Sequence, residues 1–143
     1  MLTPTVDKNE LEDLMDLVSN DMTTDEAYVC RKTGKIHWIP DFAISGIEVD
    51  VPADLDDQDK YVSVPDKRDL DLGSSLAYDF AGQHLPIQYE QVRDMFRRAG
   101  AYGRFKGLLE GKGLLQAWYD FEAEQSTKAL TQWCKDEGLE LSA

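Results

Sequence analysis

A chain of 143 residues in which 42% are hydrophobic, with three Trp, six Tyr and five Phe, has the material of one ordinary domain able to bury roughly two thirds of its unfolded surface. That content excludes disorder over the whole length, and no run of about 18 apolar residues suggests a membrane span. The N-terminus "MLTPTVDKNELEDL" lacks a basic stretch followed by an apolar one, so a cytoplasmic protein with no membrane partner is expected.

The formal charge of −13 is unevenly spread: residues 1–75 hold 18 acidic and 7 basic side chains (net −11), residues 76–143 hold 10 and 8 (net −2). Such a balance disfavours nucleic acid as a partner, although a small basic patch can survive on an acidic body.

The first predicted element is an amphipathic helix. Asp7 with Glu10 three residues later approximates a capping box, and Leu11, Leu14, Met15 and Val18 recur at helical spacing. Next come two β-prone runs, Tyr28–Arg31 and Lys35–Ile39, joined through Gly34 as a hairpin and stopped by Pro40. "IEVDV" and "KYVSVP" are a third and a fourth candidate strand. Between them "PADLDDQDK" reads as an acidic loop, and residues 41–59 as an acidic loop or insertion. An EF-hand starting at Asp54 would need glycine sixth and glutamate twelfth, but Asp59 and Pro65 stand there. No other metal or cofactor motif is present, so neither is expected.

From Leu70 the period turns helical, with Leu72, Leu76 and Phe80 on one side and Pro86 opening the first turn of the next helix. There Tyr89, Val92, Met95 and Phe96 form the apolar stripe, with Gly100 as a left-handed cap. A short helix carrying Tyr102, Phe105, Leu108 and Leu109 ends around Gly111. The last, "LLQAWYDFEAEQSTKALTQWCKDEG", presents Leu114, Trp118, Phe121, Ala129, Leu130 and Trp133 before closing at Gly138. The sum is an α+β fold in a single domain, residues 1–143: N-terminal helix, small antiparallel sheet, helical C-terminal half.

The stretch "GAYGRFKGLLEGKG" gathers five glycines and three cations. A Walker loop needs four residues between its glycine and Gly-Lys; Gly107 and Gly111 enclose three, and Gly113 replaces the hydroxyl. Gly103, Gly107 and Gly111 are four apart, which favours close helix packing or helix caps over phosphate binding. Over residues 93–112, Arg93, Arg97, Arg98, Arg104, Lys106 and Lys112 meet only Asp94 and Glu110, and Arg93 with Arg97 has i,i+4 spacing. Arg93, Arg97, Arg104 and Lys106 are the candidate partner-binding residues. His37 and His84 lie in no hydrolytic motif, Asp120 and Glu124 read as a solvated face, and Cys30 and Cys134 as reduced, buried thiols. No catalytic residue is identified.

The chain also resembles an uncharacterised bacterial family marked by a glycine–aromatic element leading into Arg-Phe-Lys, a Trp-centred helix and a C-terminal Trp-Gly tail. The matching residues are Gly100, Tyr102, Arg104, Phe105 and Lys106, then Trp118, Tyr119 and Phe121, then Trp133, Gly138 and Leu139. The resemblance covers about residues 58–141, with "DFAISGIEVDVPADLDDQ" as an insertion. It implies a small cytosolic α+β protein and that Arg104, Phe105 and Trp118 belong together. Arg104 and Lys106 then point outward or pair with Asp120 and Glu122.

The expected function is a non-enzymatic binding or regulatory module for a macromolecular partner, a protein first. The alternatives are a DNA mimic using Asp54, Asp56, Asp57 and Asp59, or an enzyme.

Overall fold

The computed structural model describes residues 3–20, 24–40, 46 and 51–142. The chain divides into two compact units, Met1–Leu70 with Lys128–Ala143, and Asp71–Thr127. The architecture is α+β with a helical C-terminal half.

In the sheet unit, β1 (Thr5–Val6) leads into α1 (Lys8–Val18), whose Asp7 cap accepts a hydrogen bond from the Glu10 N–H. Leu11, Leu14 and Met15 form its buried stripe, as the spacing predicts. β2 (Glu26–Cys30), β3 (Ile36–Ile39) and β4 (Tyr61–Ser63) form an antiparallel sheet in the order β3-β2-β4. Ala27, Val29 and Ile36 are buried, and α1 packs against β2 and β3.

The hairpin turn needs its glycine twice over. Gly34 has φ +77°, and a Cβ there would collide with the Thr5 carbonyl. The predicted strand at "IEVDV" falls outside the described residues except for Val51, which lies in no strand. After β4 a 3₁₀ turn (Lys67–Leu70) is fixed to α1: the Lys67 N–H donates to Ser19 Oγ at 2.9 Å and its ammonium pairs with Asp16 at 2.5 Å.

The helical unit begins with α2 (Ser74–His84), burying Leu76, Ala77, Phe80 and Ala81. Pro86 does not open the next helix. The Gln88 N–H donates to the Leu85 carbonyl at 3.1 Å, so Pro86 takes the second position of a turn, where its fixed φ is equally at home, and α3 (Tyr89–Met95) starts after it. Gly100 is left-handed, φ 74°, but it lies beyond the end of α3 and serves as the N-cap of α4 (Ala101–Gly111).

Among the described residues the small-residue seam is not formed: a methyl at Gly103, Gly107 or Gly111 would meet no atom beyond its own helix within 4 Å. α4 ends instead in a Schellman motif on Gly113, with Leu114 N–H donating to Leu109 O at 2.8 Å. The same device ends α5 (Leu115–Asp136) on Gly138, with Leu139 N–H to Cys134 O at 2.7 Å. This cap turns the chain into β5 (Glu140–Leu141), which pairs in parallel with β1.

The helical unit's interior is aromatic. Phe105 and Trp118, both fully buried, meet edge to face at 5.1 Å between ring centroids, as expected of neighbours. Phe80 lies 5.4 Å from both Trp118 and Phe121, and Phe96 lies 5.6 Å from Phe105.

Candidate functional site

The four predicted partner-binding residues are all on the helical unit, and local contacts hold three of them. Arg93 pairs with Glu90 at 3.7 Å on α3, and its neighbour Arg98 pairs with Asp94 at 3.4 Å. Both pairs are exposed and contribute little. Arg97 stands past the end of α3, so its expected i,i+4 relation to Arg93 along one helix is not formed; its side chain is exposed.

Arg104 and Lys106 do not reach Asp120 or Glu122. Arg104 Nη1 donates to the Ala99 carbonyl at 3.0 Å across the α4 N-terminus, and Lys106 Nζ sits 5.6 Å above the Tyr119 ring. Asp120 accepts from Gln116 Nε2 at 3.0 Å. Tyr102 and Tyr119 are each 41% exposed. Tyr102 packs its ring on Phe96 at 5.0 Å, which fixes it at the surface, and burial pushes its hydroxyl pKa upward, with Glu122 adding to the effect.

The acidic loop is shaped by its own carboxylates. Asp54 pairs with Lys60 at 3.0 Å, which holds its pKa below the ordinary carboxylate value. Asp57 Oδ1 accepts from the Asp59 N–H, and its carbonyl accepts from the Lys60 and Tyr61 N–H groups at 3.0 Å, turning the chain into β4. Among the described residues no three His, Cys, Asp or Glu side chains converge as metal ligands do.

His37 sits in β3 with its ring edge-on to Tyr61 at 5.7 Å, while His84 is exposed at the end of α2, stacked on Phe80 at 4.4 Å. The cysteines are both free thiols, but only one is buried. Cys134 is inaccessible, and burial pushes its pKa to about 11. Cys30 is half-exposed on the outer face of β2, and a hydrogen bond with the Thr33 hydroxyl lowers its pKa against a small opposing effect of burial.

A concavity of the sheet unit, about 660 Å³, was not anticipated from sequence. Tyr61, Val62, Ser63, Val64 and Pro65 line it in unbroken succession. Successive residues of a strand face opposite sides, so a cavity that touches all five runs along the strand's edge. Its far walls agree with this: Tyr28, from the sheet's outer face, lines it together with Trp133 from the last turn of α5 and Glu137 just past its end.

Arg31 ties the walls together. Its Nε donates to the Gln58 carbonyl at 2.8 Å, Nη1 to the Glu137 carbonyl at 3.0 Å and Nη2 to Glu137 Oε2 at 3.0 Å. A signal for this edge was present in "KYVSVP": proline directly after a short β-run marks a strand at a sheet border. Nothing local in the sequence marks Arg31, Trp133 or Glu137; Arg31 meets Glu137 across 106 positions. No helix among the described residues is long and apolar enough to cross a membrane. Compared with protein-family models, with curated proteins and with solved structures, the chain finds no match.

Proposed function

We propose that this protein is a non-enzymatic binding module, of the small cytoplasmic bacterial kind that its Arg-Phe-Lys and Trp-centred elements resemble, and that it recognises an acidic surface of a protein partner through its helical unit. The observation that carries the reading is the pair of half-exposed rings, Tyr102 and Tyr119, with Lys106 above one of them. Aromatic rings fixed at a surface, edged by cations, are the side-chain chemistry that concentrates binding energy in protein interfaces. Arg97, Arg98, Arg104 and Lys112, all exposed, supply the charged rim. A rim of this kind governs association rate and salt dependence more than it governs affinity.

The test is capture by the wild-type chain and by the Arg104→Glu, Lys106→Glu double variant at low and high salt. The double variant should lose the captured protein while its circular dichroism spectrum stays unchanged, because neither side chain contributes to the aromatic interior. Capture that persists undiminished in the double variant assigns recognition elsewhere. Capture of nucleic acid in place of protein would replace the proposal.

A further inference from the structure

We propose that the groove along the free edge of β4 is a second recognition site, distinct from the helical surface, that takes an extended peptide segment carrying a lysine or arginine. Among the described residues β4 pairs with β2 on one side only. The register shows which groups are left over. Arg31 N–H donates to Lys60 O and Val64 N–H to Ala27 O, both at 2.8 Å, so residues 60, 62 and 64 direct their backbone toward β2. Residues 61 and 63 then direct theirs outward. The Tyr61 N–H is used by the Asp57 carbonyl, which leaves the Tyr61 carbonyl and both polar groups of Ser63 at the edge, without a partner among the described residues. One N–H flanked by two carbonyls is the pattern that an added strand satisfies.

The walls specify the charge of the occupant. Of the four charged residues lining the groove, Arg31 is already paired with Glu137, while Asp56 and Asp69 complete a net charge of −2. The Asp56 carboxylate has no ion pair among the described residues. Tyr28, Tyr61 and Trp133 line the same space. Carboxylates beside aromatic faces attract an ammonium or guanidinium group by charge and by cation–π contact together, and repel an acidic side chain. The residues Tyr61–Pro65 give an edge about 16 Å long, enough for four or five residues of extended chain. Pro65 ends the pairing and, with so short a strand, keeps the edge from templating indefinite association. An occupant alternating small polar residues with lysine would place its backbone on Ser63 and its cations among Asp56, Asp69 and the rings.

The experiment uses the full chain and three blocked hexapeptides: one alternating threonine with lysine, one with glutamate in place of lysine, and one lysine peptide N-methylated at alternate backbone nitrogens. Binding is read from amide shifts and from hydrogen exchange at Ser63. The lysine peptide should slow Ser63 exchange at least tenfold and shift the Trp133 indole. The glutamate and N-methylated peptides should bind at least tenfold more weakly.

The inference is overturned if the lysine peptide leaves Ser63 unprotected at millimolar concentration, or if the glutamate peptide binds equally well. It is also overturned if the N-methylated peptide matches its parent. Protection of Ser63 that rises with protein concentration in the absence of peptide would make a second copy of this chain the occupant instead. Ser63→Pro removes the outward N–H, and should abolish peptide binding while the helical surface retains its own partner. That separates failure here from failure of the helical-surface reading. Should that variant not fold, the N-methylated peptide decides the same question on the native chain.

Discussion

Phe80, Phe96, Phe105 and Trp118 of the helical unit pack ring edge against ring face, with Phe121 tilted against Phe80, whereas Tyr28, Tyr61 and Trp133 of the sheet unit line an open groove. Aromatic side chains are thus used for opposite purposes in the two regions. In one they exclude water from a closed interior and gain from each other's quadrupoles; in the other they border polar neighbours and a strand edge. The difference teaches that aromatic content alone does not locate a site. What distinguishes the groove is unspent capacity: backbone groups at Ser63 and a carboxylate at Asp56 that nothing described satisfies.

The sharpest way to break this comparison is to open the closed interior. Phe105→Ala removes a fully buried ring that touches both Trp118 and Phe96, and should cost about 3–5 kcal/mol in urea unfolding. Trp118→Phe should cost less, although the side chain is larger. The Trp118 Nε1–H is buried with no partner among the described residues, so replacement by phenylalanine loses packing but also removes an unsatisfied donor. A cost for Trp118→Phe equal to that of Phe105→Ala would mean that the indole N–H is paired, and the interior polar.

Gly34→Ala comes next, and it tests the sheet unit's frame where the groove's own residues are untouched. A left-handed φ of +77° costs a side chain about 1–2 kcal/mol, and the overlap with the Thr5 carbonyl adds to it, so a loss of at least about 2 kcal/mol is expected. Calorimetry that finds the variant unchanged would show that β1 can withdraw from the hairpin turn.

The helical elements were legible because their determinants are local. Asp7 caps α1 by accepting from the Glu10 N–H, and Leu76 with Phe80, like Phe105 with Leu109, buries residues at helical spacing. Errors arose where one residue type serves two local purposes. Pro86 suits a first helical turn and the second position of a β-turn equally, and the choice is made by the Leu85 carbonyl. Glycines four apart suit a packed seam or an exposed face, and the sequence does not say which neighbour arrives. The groove was least legible because Arg31, Tyr61 and Glu137 come together only through sheet register and the end of α5. The local strand and helix signals at these positions are silent about one another.

Arg31→Ala is expected to have an intermediate effect. Three hydrogen bonds are lost, but the Arg31 and Glu137 side chains remain 28% and 30% exposed, so water recovers part of the loss and about 1–2 kcal/mol is expected. The informative readout is the groove: chemical shifts of Gln58 and Glu137 should move together, and those of the helical unit should stay fixed. Shifts that spread across the aromatic interior would contradict a tie confined to the groove's walls.

The smallest effect concerns acid, and it separates the two regions by kind of force. Asp66, next to Pro65 at the end of the groove, accepts hydrogen bonds from the Arg68 backbone N–H, Nε and Nη2, and chiefly these bonds hold its carboxyl below the ordinary 3.8. A carboxyl whose folded pKa is depressed contributes its stability above the unfolded value, and that contribution fades as pH falls through the folded one. Asp66→Asn should therefore destabilise the chain near neutral pH by less than about 1 kcal/mol, since the Arg68 side chain is 65% exposed, and its difference from wild type should shrink below about pH 4. Phe105→Ala, which removes no charge, should keep its full cost across the same range. A Phe105→Ala penalty that itself faded with acid would show titrating groups acting on the helical interior, and the contrast between a closed apolar core and a charged, open edge would no longer hold.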